Sequence, residues 1–275
     1  ASVHTMYTIL EDLGLRTAVF FIFIPNYASE LQLVAPLCNC KSTYDQAKSY
    51  CEKEDFELLN VSHLGDTVIQ RSGECWLQMR KIRFSIWKLL SGITYNNPIL
   101  GGKPSPNKEC GVIRALDNVT DAEPCNVNVT GFLCKHDSNK PCPNEAQCLH
   151  VNNTNIAVAV VMREKDWYGS YMGCKALGMS LLEIPEEQLI EVTSYISKVL
   201  RHGHFFHGLV KSWWTMDGKR PLDFYNWEQG HPKDNHECAV LMLQSKKWHS
   251  VHCGDEYPIL CVKKEGLQLI LKLQQ

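Results

Sequence analysis

The cysteines constrain this chain more than any other feature. Cys51, Cys110, Cys125 and Cys134 are separated by 58, 14 and 8 residues, and Cys174, Cys238, Cys253 and Cys261 by 63, 14 and 7. An aromatic stands seven residues before the first cysteine of each set, Tyr44 in "TYDQAKSYC" and Trp167 in "DWYGSYMGC". Two sets with near-equal gaps and the same leading aromatic mark an internal repeat. The copies meet at "HDSNKPCPN", residues 136–144, which is polar and rich in turn residues. Spacing alone leaves three pairings open within each set. Thirteen cysteines argue for an oxidising compartment. Four N-x-[ST] sequons, at Asn60, Asn118, Asn128 and Asn152, point the same way, to an extracellular glycoprotein.

Length and composition fit this division. A chain of 275 residues with 44% hydrophobic content suffices for one large or two modest domains. A net charge of −2, with acids and bases interspersed, excludes a nucleic-acid footprint. Each repeat opens with a helix: Tyr44, Ala47 and Cys51 share one face, as do Trp167, Tyr171, Cys174 and Leu177. "PEEQLIEVTSYISKVL" predicts a second helix from Pro185, with Leu189, Val192, Ile196 and Val199 as its core stripe. The first repeat offers only "SHLGDTVIQRSG" there, so its second helix is short or lost. Strand patterns follow: "CWLQMRK", "CGVIRAL" and "GFLCK", then "HFFHGLV", "ECAVLML" and "YPILCV". Helices first and strands after predict an α+β fold.

The two ends are less typical. "TAVFFIFI", residues 17–24, is shorter than the roughly 20 residues a bilayer requires. It suits the core of a signal peptide starting at Met6, with Arg16 as basic flank, although Glu11 and Asp12 oppose that reading. A buried strand or an incomplete gene start are the alternatives. The division predicted is therefore 1–36 as leader or unassigned, 37–137 and 138–263 as the two repeats, and 264–275 as a tail. Membrane attachment through a segment beyond this sequence is compatible with it, and oligomeric state is left open.

Both repeats resemble the C-type lectin-like domain, the second more closely. "FFHGL" stands where that family has W-I-G-L, "WWTMDGKRPLDFYNW" resembles its strand, turn and loop entry, and "KKWHSVHC" its strand into the third cysteine. The resemblance implies two tandem domains, each with two helices on small antiparallel sheets and a long stapled loop. It also implies the pairs Cys51–Cys134, Cys110–Cys125, Cys174–Cys261 and Cys238–Cys253, with Cys142–Cys148 as the hairpin bond of the family's long form. Cys38, Cys40 and Cys75 remain; a bond from Cys38 or Cys40 to Cys75 is expected, with one thiol left to link two chains.

Sugar-binding members of that family hold Ca²⁺ through E-P-N or Q-P-D, an acid before the third-from-last cysteine, and W-N-D. Here those positions read His231-Pro232-Lys233, His236 and Trp248-His249-Ser250, and in the first repeat Lys103-Pro104-Ser105 and Thr120-Asp121-Ala122. Ca²⁺ takes six to eight hard oxygens, so no metal or cofactor is expected. His231, His236 and His249 suit zinc chemically, but Lys233 among them favours solvated loop histidines, like His202, His204 and His207. No nucleophile stands beside a base and orienter, so no enzyme is expected. The expected function is a calcium-independent extracellular recognition module for a protein or glycan. Its expected surface is Lys233, Asp234, Asn235 and His236, with His249 and Tyr225 beside them. A second reading is a lectin that stacks sugar on Trp227 or Trp248, and a third is a structural spacer.

Overall fold

The leading aromatic of each repeat starts a helix. In the computed structural model of the chain, which describes residues 38–53, 56–60, 73–95, 107–216, 218–219 and 221–263, α1 (Tyr44–Lys53) buries Tyr44, Ala47 and Cys51. Helix α2 (Trp167–Ala176) buries Trp167, Tyr171 and Cys174, and its N-terminus is capped by Asp166, which accepts from the Gly169 N–H at 2.7 Å. The next helix, α3 (Leu189–Leu200), buries Leu189, Val192 and Ile196. It begins at Leu189 rather than Pro185 because Pro185 is extended and Glu186–Gln188 wind as a 3-10 turn. The leader, the tail, most of "SHLGDTVIQRSG" and Lys103-Pro104-Ser105 lie outside the described residues. All described residues fall in one unit, Val34–Gln275.

Two long strands decide the topology. Strand β3 (Glu74–Leu89) pairs antiparallel through its first part with β12 (Cys238–Met242) and through its second part with β11 (His204–Thr215). Strand β11 does the reverse. Its first part pairs antiparallel with β5 (Cys110–Arg114) and parallel with β7 (Gly131–Lys135) before it reaches β3. Each repeat thus sends its central strand out to the later strands of the other. The large sheet runs β13 (Trp248–Val251), β12, β3, β11, β7, β9 (Ala157–Val161), β8 (Gln147–His150). Strand β4 (Thr94–Tyr95) joins the far end of β3, and β6 (Val119–Glu123) forms a hairpin with β5. Gly111 in β5 permits the close approach to β11: a Cβ there would sit 2.9 Å from both His207 Nε2 and Leu209 Cβ.

The cores mix the repeats in the same way. One cluster joins Tyr44, Ala47 and Cys51 of α1 and Trp76 of β3 to Cys238, Val240, Val251 and Cys261. Another joins Leu189, Val192 and Ile196 of α3 to Ile113, Ala122 and Leu133 of the first repeat. Burying such side chains removes roughly 1.5–3 kcal/mol of apolar exposure each, so both cores hold the two repeats together.

The disulfides follow the strands, and here the sequence expectation is corrected. Cys51 is bonded to Cys261 and Cys134 to Cys174, in place of Cys51–Cys134 and Cys174–Cys261. The pairs Cys110–Cys125, Cys238–Cys253 and Cys142–Cys148 join cysteines within one repeat. The cause is strand placement. Strand β15 (Cys261–Lys263) pairs with β2 (Phe56–Leu58), just after α1, and β7 with Cys134 pairs with β10 (Ser180–Leu181), just after α2. Cys75 is also corrected. It is a buried free thiol opposite Leu241, and burial pushes its pKa up to about 12.

A buried ion pair locks the crossing. Lys81 of β3 contacts Glu109, the residue before β5, with both side chains inside. Ser212 of β11 donates to the same oxygen, Oε2, at 2.7 Å, and Arg83 Nε donates to Oε1 at 2.8 Å. Burial raises the Glu109 pKa, but the Lys81 ammonium and these donors outweigh it and hold the carboxyl below its ordinary value. Removing one partner of such a pair leaves an uncompensated buried charge. Lys81→Ala is expected to cost about 3–5 kcal/mol in urea denaturation. The double variant K81M/E109M is expected to recover most of that loss.

Candidate functional site

The long loop between β11 and β12 is tied to β13 from both sides. The Trp248 N–H donates to Asn226 O and the Glu228 N–H to Trp248 O, each at 3.0 Å. Lys247 Nζ donates to Asn226 Oδ1 at 2.7 Å, and Asn226 Nδ2 to Lys246 O at 2.9 Å. The Cys238–Cys253 bond closes the base.

Ser250 is the hub of this loop. Its Oγ accepts from the Lys233 N–H at 2.7 Å, and its N–H donates to His231 Nδ1 at 3.0 Å. Its carbonyl accepts from His236 Nδ1, which fixes the proton of that ring on Nδ1. His231 therefore carries its proton on Nε2. The His231 ring stacks on His249 at 4.4 Å and 1°, and His236 meets His252 edge-on at 4.4 Å. Four imidazoles thus surround one serine.

These atoms do not suit a hard cation. The expected calcium positions present an N–H, three imidazoles and a hydroxyl, with Lys233 exposed alongside. Of the two acids beside the loop, Glu237 is engaged by the chain's own cation, while at Asp234 that cation reaches the backbone carbonyl. Arg83 Nη1 binds Glu237 at 2.5 Å, and Arg83 Nη2 donates to Asp234 O at 2.5 Å. Imidazoles paired face to face and edge-on do not converge on a point. Among the described residues no group of three or more His, Cys, Asp or Glu is placed to hold a metal ion.

The structure separates the residues singled out in sequence. Lys233 and Asn235 are exposed, and Asp234, His231, His236 and His249 are half-buried. Burial raises the Asp234 pKa, with Lys81 opposing it. Tyr225 and Trp248 are core residues, so neither offers a stacking face, while Trp227 is half-buried against the same core. The reason is the alternation of the loop: Tyr225 turns in against Tyr168 and Tyr171, and its neighbour Phe224 turns out at 49% exposure. Phe224 was missed because the pattern "DFYNW" does not say which ring faces the core. His207 also departs from the solvated loop expected. It is fully buried in β11 with neither ring nitrogen hydrogen-bonded, and burial pushes its pKa down to about 4.

Comparison with known proteins agrees with this geometry over part of the chain. Residues 163–263 match the lectin C-type domain. Lymphocyte antigen 75 of Mus musculus is 27% identical over 124 residues, and that of Mesocricetus auratus 27% over 123. Each alignment covers 42% of this chain and 7% of the relative, so the chain spans a small fraction of their length. Residues 163–263 therefore carry one C-type lectin domain, within a mixed α+β fold with disulfides.

Acid tests the hub. His231 must stay unprotonated to accept from Ser250, and its pKa is pushed down to about 4 by burial first, then by His249, Lys233 and His236, with Glu228 opposing. An unfolded histidine titrates near about 6.5. Between those values the open loop binds a proton that the closed loop does not, so stability is full above pH ~6.5 and falls towards pH ~4. Hydrogen exchange at the Lys233 and Ser250 amides, corrected for intrinsic rates, is expected to rise over that range. Ser250→Ala is expected to open the loop already at neutral pH, by about 1–2 kcal/mol.

Proposed function

We propose that this chain is an extracellular recognition module that binds a protein ligand through the long loop around Ser250, without calcium. The observation that carries this reading is the hub itself: hydrogen bonds to one serine order the loop where a cation would otherwise be needed. An ordered loop presents its side chains with little further loss of entropy on binding. Phe224, Lys233, Asn235 and His249 supply an exposed ring, a cation and polar groups, the mixture found at interface hot spots and rims. The five disulfides among the described residues support the extracellular setting.

The first repeat, on this reading, is a diverged copy of the same domain, and the two copies complete each other by exchanging halves. Glycans belong on Asn118, Asn128 and Asn152, which are exposed. Asn60, buried with its Nδ2 donating to Glu57 at 2.8 Å, is the least exposed of the four sequon asparagines. A lectin stacking sugar on Trp227 or Trp248 is disfavoured by the full burial of Trp248 and the half-burial of Trp227 against the same core.

Cell-surface binding of the labelled chain, with and without chelator, tests the proposal beside a glycan array. Binding to protease-sensitive cell-surface sites, unchanged by chelator, is expected. F224A/K233E is expected to lower that affinity at least about tenfold, the effect of losing a hot spot worth roughly 2 kcal/mol. Binding lost on chelation, or carried by neutral glycans alone, contradicts the proposal. No binding in either format favours the spacer.

A further inference from the structure

A second cleft lies away from the long loop. It has a volume of about 640 Å³ and is formed where the end of β7, the segment joining the repeats and the turn after α2 meet. Its walls are covalently braced. Cys134, beside Lys135, is bonded to Cys174 of α2, and Cys142 in the joining segment is bonded to Cys148. The volume lies within the roughly 300–1,000 Å³ of small-molecule sites.

Three kinds of group meet in its lining. Lys135 and Lys140 bring positive charge, Asn139 and Asn155 bring amide donors and acceptors, and Leu177 and Met179 bring apolar surface. Neither lysine forms an ion pair among the described residues. Asp137, the acid of the lining, is engaged by its own turn: its Oδ1 accepts from the Asn139 N–H at 3.0 Å and its carbonyl from the Lys140 N–H at 2.9 Å. His136 stands beside it, with its N–H held by Ala157 O at 3.0 Å. Unpaired positive charge in a concave wall focuses an attractive field for anions.

That mixture favours a ligand with one anionic group, several hydroxyls and a small apolar face. A neutral sugar leaves both ammonium groups without a partner. An extended acidic peptide makes little use of the amides set beside an apolar patch. We propose that this cleft binds an anionic saccharide of one or two rings, its carboxylate or sulfate on Lys135 and Lys140, its hydroxyls on Asn139 and Asn155, and its C–H face on Leu177 and Met179. The site is independent of the long loop, so either reading stands if the other fails.

Isothermal titration of the full chain with sialyllactose, 6-sulfated N-acetyllactosamine and lactose tests this, with hexaglutamate as the peptide control. At least one anionic sugar is expected to bind about tenfold or more tightly than lactose, a gap of about 1.4 kcal/mol, and to weaken as salt rises. The better of the two identifies the carboxylate or the sulfate as the group recognised. Lys135→Glu with Lys140→Glu is expected to abolish that binding, and F224A/K233E to leave it unchanged. Both lysines are exposed, and unaltered thermal denaturation of their variant confirms that it folds. The proposal is overturned if neither anionic sugar binds better than lactose, if the lysine variant binds equally well, or if hexaglutamate binds more tightly than both.

Discussion

The antiparallel pairing of β3 with β11 is the contact on which the rest of the structure depends. Once these strands run alongside each other, neither repeat has its own central strand free to complete its own later sheet. Strand β3 finds β12, β11 finds β5, and the outer disulfides form between whichever half-cystines the strands bring together. The result, among the described residues, is three core clusters that each draw on both repeats. The arrangement resembles a domain swap carried out within one chain.

Where the strands cross, charge takes over the role of fixing register. Lys81 and Arg83 rise from β3 between Glu109 of one repeat and Glu237 of the other. Each glutamate directly precedes a staple cysteine, and Arg83 binds both, so both loop bases are drawn onto one cation. The contact with Arg83 also holds Glu237, beside the long loop, away from any outside metal. The order of that loop then rests on neutral hydrogen bonds to Ser250, and this ties its stability to pH.

Much of the architecture was legible in the sequence, and the reason is local. Helices α1 and α2 declare themselves by an aromatic and a cysteine on one face, while the staple pairs Cys110–Cys125 and Cys238–Cys253 are implied by the resemblance to the C-type lectin-like domain. What spacing does not carry is partner choice. Cys51 meets either Cys134 or Cys261 equally well as far as gaps are concerned, since both end a repeat. The deciding information is spread along β3, whose buried run Cys75, Trp76 and Leu77 suits a strand covered on both faces and gives no sign of which strand lies beside it. The loop shows the same limit: Tyr225 and Phe224 are adjacent rings, and only packing against Tyr168 and Tyr171 turns one of them in. A signal for the charge lock was present in the repeated Glu-Cys at 109–110 and 237–238, with Lys81 and Arg83 on alternate positions of one strand.

The exchange is tested most directly by mass spectrometry of a non-reduced digest, with free thiols blocked at low pH before cleavage. The account predicts a peptide containing Cys51 joined to one containing Cys261, and one containing Cys134 joined to one containing Cys174. Recovery of Cys51 joined to Cys134, with Cys174 joined to Cys261, contradicts it.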